Sequence, residues 1–195
     1  MKKISVTLLL LFTLGLVLIS CATPPREEMD RALEAVLRAE SDPDAVAYAP
    51  LLLVRARDAL TRMQSEADAK NYDEARRFAA EAINNAERAI ADGRVAASRA
   101  RDEAARLLAS LPDNLAETSN VITVAEVLQN IMPDLDFDEI SEDVNLAHRT
   151  YDDAQQHFED ENYIDAIANA ETVRSLLSGV NTRVNGAVGA ASRKK

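Results

Sequence analysis

The chain has 195 residues, with 22 Lys and Arg against 33 Asp and Glu, and a formal net charge of −11. A hydrophobic content of 47% excludes wholesale disorder, and a single Cys excludes an internal disulfide framework. The acidic balance disfavours nucleic-acid binding, because nucleic-acid phosphates would be repelled. The length is that of one domain or two small ones.

The first 20 residues have the layout of a secretory signal peptide. Lys2 and Lys3 precede an apolar stretch at residues 6–19, which only two threonines and a glycine interrupt. As a helix this stretch would extend about 21 Å, and it is shorter than the roughly 20 residues that span a bilayer core. We therefore predict a signal peptide at residues 1–20. Its removal takes away two lysines and no acidic residue, so the remaining chain carries a net charge of −13.

The apolar stretch ends in Leu18-Ile19-Ser20-Cys21, which resembles a bacterial lipobox. The resemblance implies that the Cys21 thiol receives a diacylglyceryl group, that Cys21 becomes the new N-terminus, and that fatty chains such as palmitate anchor the protein. Two or three chains are enough for stable membrane attachment. Ala22 replaces the Asp that often retains lipoproteins in the inner membrane, so the resemblance favours the outer membrane and a body facing the periplasm. An incidental Cys beside an ordinary N-terminal anchor is the alternative.

A short tether at residues 21–28 contains Pro24 and Pro25 and leads into the first predicted helix. Its apolar residues are spaced i, i+3, i+4, i+7 and i+8, which is typical of one helix face; they are Met29, Ala32, Leu33, Val36 and Leu37. Residues 41–44 contain Pro43 and are expected to break this helix. A second helix is predicted to begin at Pro50, where a missing N–H is harmless.

The third predicted helix runs from Tyr72 to Leu111 and would extend about 60 Å. Ala recurs along its apolar face, which predicts a narrow core with Phe78 as a buried bulky side chain. Gly93 is its weak point, because Gly costs about 1 kcal/mol against Ala within a helix. Pro112 is expected to end it.

The C-terminal part is also predicted to be helical. Residues 114–132 form a helix in this interpretation, and the acidic residues 133–143 lead into two further helices. Their apolar positions include Val144, Ala147, Tyr151, Ala154 and Phe158, and then Ala166, Ile167, Ala170, Val173, Leu177, Val180 and Val184. No strand alternation is sustained anywhere in the sequence. The predicted fold class is therefore all-α, with antiparallel helical hairpins built from long helices.

A motif recurs at an offset of 91 residues. Residues 71–75 and 162–166 share the pattern Asn-Tyr-x-acid-Ala, and at the same offset Ala56 aligns with Ala147. This predicts an imperfect two-copy repeat, with a first hairpin region at 29–112, a spacer at 113–138 and a second hairpin at 139–190. A similarity of composition between Ala-rich hairpins is the alternative.

Two resemblances to known families follow from these residues. Tyr72 followed by Ala75 resembles the start of the second helix in tetratricopeptide repeats, although an offset of 91 departs from their period of 34. Tyr48, Ala49, Pro50, Leu53, Ala56 and Leu60, with Asn71, Tyr72 and Ala75, resemble a bacterial lipoprotein domain family of unknown function over roughly residues 30–110. This second resemblance implies a helical-hairpin fold and an envelope location, and no activity.

The sequence contains no convincing catalytic, cofactor or metal site. His148 and His157 are nine residues apart, so they would face nearly opposite sides of one helix and are interpreted as surface residues. Asp134, Asp136 and Asp138 match three positions of a calcium loop, but its required Gly and final Glu are replaced by Glu139 and Asn145. An acidic linker with a helix N-cap is the preferred interpretation. The single candidate site residue is Cys21, for lipidation.

These observations lead to two functional hypotheses. The preferred one is a lipid-anchored cell-envelope protein that acts as an interaction scaffold or accessory subunit, with a partner helix lying in a groove between its helices. The alternative is a module that binds a small or lipidic ligand, associated with a transporter, which predicts an enclosed apolar cavity of roughly a few hundred Å³. An enzyme is not expected, since no catalytic constellation is recognisable.

Overall fold

The computed structural model describes residues 23–127 and 135–193, so the predicted signal peptide and Cys21 lie outside the described residues. Within this part, six helices and no strand are present, and the all-α prediction is confirmed. The helices are α1 (Arg26–Ser41), α2 (Pro43–Tyr48), α3 (Pro50–Asp68), α4 (Tyr72–Val127), α5 (Phe137–Glu159) and α6 (Tyr163–Arg193). None of these helices is long and apolar enough to cross a bilayer. The chain divides into two compact units, residues 1–94 and residues 95–195.

The core of the first unit consists largely of alanine. The fully buried alanines come from α1, α2, α3 and the start of α4; they are Ala32, Ala39, Ala45, Ala56, Ala75, Ala82, Ala86 and Ala89. A methyl group is all that each contributes, so helix axes can approach near the lower limit of about 8 Å. Ion pairs join Glu28 to Arg76 at 3.6 Å and Asp42 to Arg94 at 3.5 Å, so α1 and α4 run parallel.

Within the expected break at residues 41–44, α1 ends at Ser41 and the short helix α2 begins at Pro43. The Asp42 side chain accepts a hydrogen bond from the Ala45 amide at 3.0 Å, and Pro43 occupies the first turn, where no N–H is needed. Gly93 of α4 lies against this turn: a Cβ atom added there would be 2.7 Å from the Asp44 carbonyl oxygen. Gly93 is therefore a site of close helix approach as well as a residue of low helix propensity.

The prediction that Pro112 ends the third helix was wrong, because α4 continues through Pro112 to Val127. Proline removes one helical hydrogen bond and costs roughly 3 kcal/mol. Leu111 and Leu115 lie on either side of it and are both buried against Val173 and Leu177 of α6. Burial of these leucines offsets the cost of the proline, so the helix continues.

The second unit packs the end of α4 against the α5–α6 hairpin through two apolar clusters. One contains Leu111, Leu115, Ala147, Ala170, Val173 and Leu177, and the other contains Ile122, Ala125, Ile140, Val180 and Val184. Residues 111–115 of α4 meet residues 170–177 of α6, and residues 122–125 meet residues 180–184, so these two helices run parallel. Arg183 of α6 pairs with Asp143 and Glu139 of α5. These ion pairs hold α5, the third helix of this bundle, against α6.

The repeated motif places the turns of the two hairpins 91 residues apart. The two turns have the same hydrogen bonds. The Asn71 amide donates to the Glu66 carbonyl at 2.8 Å, and the Asn162 amide donates to the His157 carbonyl, also at 2.8 Å. This is the hydrogen-bond pattern of a Schellman cap, which requires a left-handed residue just before the asparagine. Lys70, with φ 63°, and Glu161, with φ 59°, supply that conformation.

Candidate interaction surfaces

An open groove in the second unit runs between the parallel helices α4 and α6; we call it the polar groove. It has a volume of about 610 Å³. Its lining is mostly short polar and charged side chains: Asn114, Glu117, Glu171, Arg174, Ser175, Leu177, Ser178, Asn181, Thr182 and Asn185. Asn181 is tied across the two helices, since its Nδ2 donates to Thr118 Oγ1 at 3.1 Å and Thr118 is only 1% exposed. This contact holds the two helices that form the groove in register.

The charged side chains of the polar groove have no ion pair within the described residues. In the second unit the ion pairs given by the structure are those of Arg183 with Glu139 and Asp143. Glu117, Glu171 and the exposed Arg174 are therefore available to a molecule that enters the groove. The groove offers both acceptors and a guanidinium donor to such a molecule.

Beyond Asn185 the lining becomes apolar, and we call this part the valine cleft. It has a volume of about 310 Å³ and is lined by Asn120, Val121, Val124, Ala125, Val184, Asn185 and Val188. Val124 is 61% exposed, so the cleft is open to solvent. The two surfaces share Asn185 and lie between the same pair of helices.

A second uncovered surface lies on the outer side of α1, in the first unit. Leu33 is 50% exposed and Leu37 is 56% exposed, one helical turn apart. They lie in a depression of about 390 Å³ lined by Asp30, Leu33, Glu34, Leu37, Arg38 and Ser41. We call this set of six residues the α1 face.

The residues considered for metal binding are not brought together. His148 is exposed and His157 is half-buried, both on α5. Asp134 lies outside the described residues, whereas Asp136 caps α5 by accepting from the amides of Asp138 at 3.1 Å and Glu139 at 3.0 Å. No group of three or more His, Cys, Asp or Glu among residues 23–127 and 135–193 is arranged to hold a metal ion.

The polar groove was not predicted, because the sequence does not reveal that α4 and α6 lie side by side. A signal for it exists on α6. Ser178, Asn181 and Asn185 flank the buried stripe formed by Leu177, Val180 and Val184. Small polar side chains beside an apolar stripe lie at the border of the buried face of a helix. At such a border a neighbouring helix can leave a groove.

Comparison with known proteins gives one match. No curated protein and no solved structure matches the chain. Residues 27–105 match the family model described as a domain of unknown function (DUF4398). This range agrees with the resemblance that the sequence shows over roughly residues 30–110. A domain of unknown function (DUF4398) is thus present at residues 27–105.

Proposed function

We propose that this protein is a lipid-anchored scaffold or accessory subunit of the bacterial cell envelope. Cys21 carries the lipid, the body faces the periplasm, and the outer membrane is the proposed location. The lipobox-like sequence before Cys21 supports the anchor, as does the absence of any other Cys in the chain. Only four residues separate Cys21 from Arg26 at the start of α1, so the tether reaches at most about 18 Å. A body held this close to a membrane surface is suited to contacts with other envelope proteins.

The observation that carries the interaction role is the open polar groove. A groove between two parallel helices accepts a third helix through residues spaced i, i+3, i+4 and i+7. The serines and asparagines that line it are short, which lets a partner backbone approach closely. Glu117, Glu171 and Arg174 lie along the groove without ion pairs in the described chain, and the valine cleft offers an apolar anchor point at one end. Together these features support a partner helix with charged residues at one end and apolar residues at the other.

The alternative, a module for a small or lipidic ligand, draws support from the valine cleft alone. Its volume of about 310 Å³ is in the range of ligand sites. The cleft is open rather than enclosed, and the first unit has an interior packed with alanine. We therefore favour the partner helix as the occupant. Retention of a fluorescent fatty acid that is abolished by Val124→Asp would favour the alternative.

Photo-crosslinking in intact cells tests the interaction role. A photoreactive residue at Ser178, in the polar groove, should give one discrete adduct with an envelope protein, and Arg174→Glu should weaken that adduct. The same residue at Gln156, on the exposed side of α5, is the matched control and should give none. Absence of an adduct at Ser178, or equal adducts at both positions, would contradict the proposal.

A further inference from the structure

Helix α1 has an outer apolar pair that no other part of the described chain covers. Its inner face is closed, since Ala32, Val36 and Ala39 are buried in the alanine core. Leu33 and Leu37 point away from that core and remain half exposed. Apolar side chains grouped in one surface depression are typical of a contact site, because covering them removes apolar area from water.

The charges of α1 divide into two groups. Outside the α1 face, all the charged residues except Arg26 at the helix start are paired: Arg31 with Glu27, Glu28 with Arg76, and Glu40 with Arg57. Within the described chain, the side chains of Asp30, Glu34 and Arg38, which surround the leucines, have no ion pair and no hydrogen bond. Along the face, negative charge thus precedes Leu37 and positive charge follows it.

We propose that the α1 face binds the α1 face of a second copy of this chain, with the two helices antiparallel. A two-fold axis at residue 35 places each residue i level with residue 70 − i of the other copy. Leu33 is then level with the second Leu37. Arg38 is level with position 32 of the second copy, midway between its Asp30 and its Glu34. Each contact occurs twice, as in any isologous interface.

The charges select this occupant over other arrangements. A parallel copy would place Arg38 against Arg38 and Glu34 against Glu34, and like charges that meet directly are unfavourable. Insertion into lipid would strip water from Asp30 and Glu34 with one guanidinium to compensate. The antiparallel copy places each Arg38 beside the Asp30 and the Glu34 of the other copy. These attractive contacts outnumber the single like-charge approach of this register, which is that of the two Glu34 side chains near the axis.

The contact area of one short helix is small, so its strength in the cell rests on the proposed lipid attachment, which raises the effective concentration of the copies. The geometry does not depend on the anchor. This separates failure of the dimer from failure of the anchor in an experiment.

Disulfide crosslinking of the full chain in intact cells tests the arrangement. In the antiparallel register two copies of position 34 are about 3 Å apart along the axis, and two copies of position 30 are about 15 Å apart. Glu34→Cys should therefore give a covalent dimer under mild oxidation, and Asp30→Cys, on the same face, should not. Peptide mass spectrometry identifies the disulfide that joins the two introduced thiols at position 34 and distinguishes it from any product of Cys21.

Further variants show whether the leucines hold the contact. Leu33→Gln with Leu37→Gln should abolish the Glu34→Cys dimer, whereas Leu146→Gln, at an exposed leucine of α5, should leave it intact. Three results would each overturn the proposal: monomer alone from a Glu34→Cys chain that is recovered in the membrane fraction, equal crosslinking at positions 30 and 34, or a disulfide between the thiol introduced at position 34 and a different protein. A Glu34→Cys dimer that persists when Cys21→Ser is added would uphold it even if Cys21 carries no lipid.

Discussion

Gly93 of α4 lies directly against Asp44 in the first turn of α2, where a Cβ atom would be 2.7 Å from the Asp44 carbonyl oxygen. The nearest atoms on that side are all backbone, including the Ala45 nitrogen at 2.8 Å. Backbone in a capped helical turn cannot rotate away as a flexible side chain would. The close approach of α2 to α4 therefore depends on the absence of a side chain at position 93.

We predict that Gly93→Ala destabilises the protein although alanine favours helix. The helix propensity gain is about 1 kcal/mol, while forced overpacking costs about 1–3 kcal/mol and backbone contacts fall at the upper end. Urea denaturation followed by circular dichroism should show a lower free energy of unfolding. Gly179→Ala is the control, since nothing lies within 4 Å of its added Cβ; it should stabilise by up to about 1 kcal/mol. A gain at both positions would contradict the close packing at Gly93.

Phe78 is the bulky side chain in a core made largely of alanine. It is buried, and the Arg77 guanidinium lies 4.1 Å from the ring centroid. Small neighbours cannot refill the space of a lost ring, so Phe78→Ala should cost about 3–5 kcal/mol. Phe158→Ala should cost clearly less, since Phe158 is half-buried and packs its ring edge on Tyr163. Equal losses in chemical denaturation would show that the alanine packing does not confine Phe78.

The hydrogen bond between Thr118 and Asn181 should stabilise the pairing of α4 with α6. Thr118→Val keeps the shape of the side chain but removes the acceptor, so we expect a loss of about 0.5–1.5 kcal/mol. Thr123→Val is the control, because Thr123 is exposed and bonds only to the Ser119 carbonyl of its own helix. A double-mutant cycle with Asn181→Ala should give a coupling energy of the same size. A coupling near zero would mean that the contact does not hold the groove together.

The left-handed residues Lys70 and Glu161 allow a test of whether the two turns are energetically equivalent. A non-glycine residue in this conformation costs about 1–2 kcal/mol, and glycine loses about 0.5–1 kcal/mol of chain entropy. Lys70→Gly and Glu161→Gly should therefore each stabilise by roughly 0.5 kcal/mol. Ala69→Gly, at φ −76°, should destabilise. Opposite signs at Lys70 and Glu161 would show that the turns differ energetically.

The helices that the sequence predicted well are those with uninterrupted apolar spacing. The start of α3 at Pro50 and the Asn-Tyr starts of α4 and α6 follow from local chemistry, namely proline in the first turn and a left-handed residue before asparagine. Local signals sufficed there because the residues that set each boundary are within one turn of it.

The features that the sequence did not reveal depend on residues far apart in the chain. Pro112 looks like a helix end in sequence, but Leu111 and Leu115 are held by α6, more than 50 residues away. Gly93 has low helix propensity, as the sequence indicates, but its contact with Asp44, which precedes it by 49 residues, cannot be read from the local sequence. The polar groove depends on α4 lying beside α6, and no spacing rule within one helix reveals which helix lies next to it.

Lipid attachment at Cys21 is the central claim, and metabolic labelling with a clickable fatty acid tests it most directly. Label should appear on the wild-type chain in the membrane fraction. Cys21→Ser should lose both the label and the membrane association, while a substitution elsewhere, such as Thr123→Val, should keep both. An unlabelled wild-type chain recovered from the cytosol with residues 1–20 still attached would contradict the account.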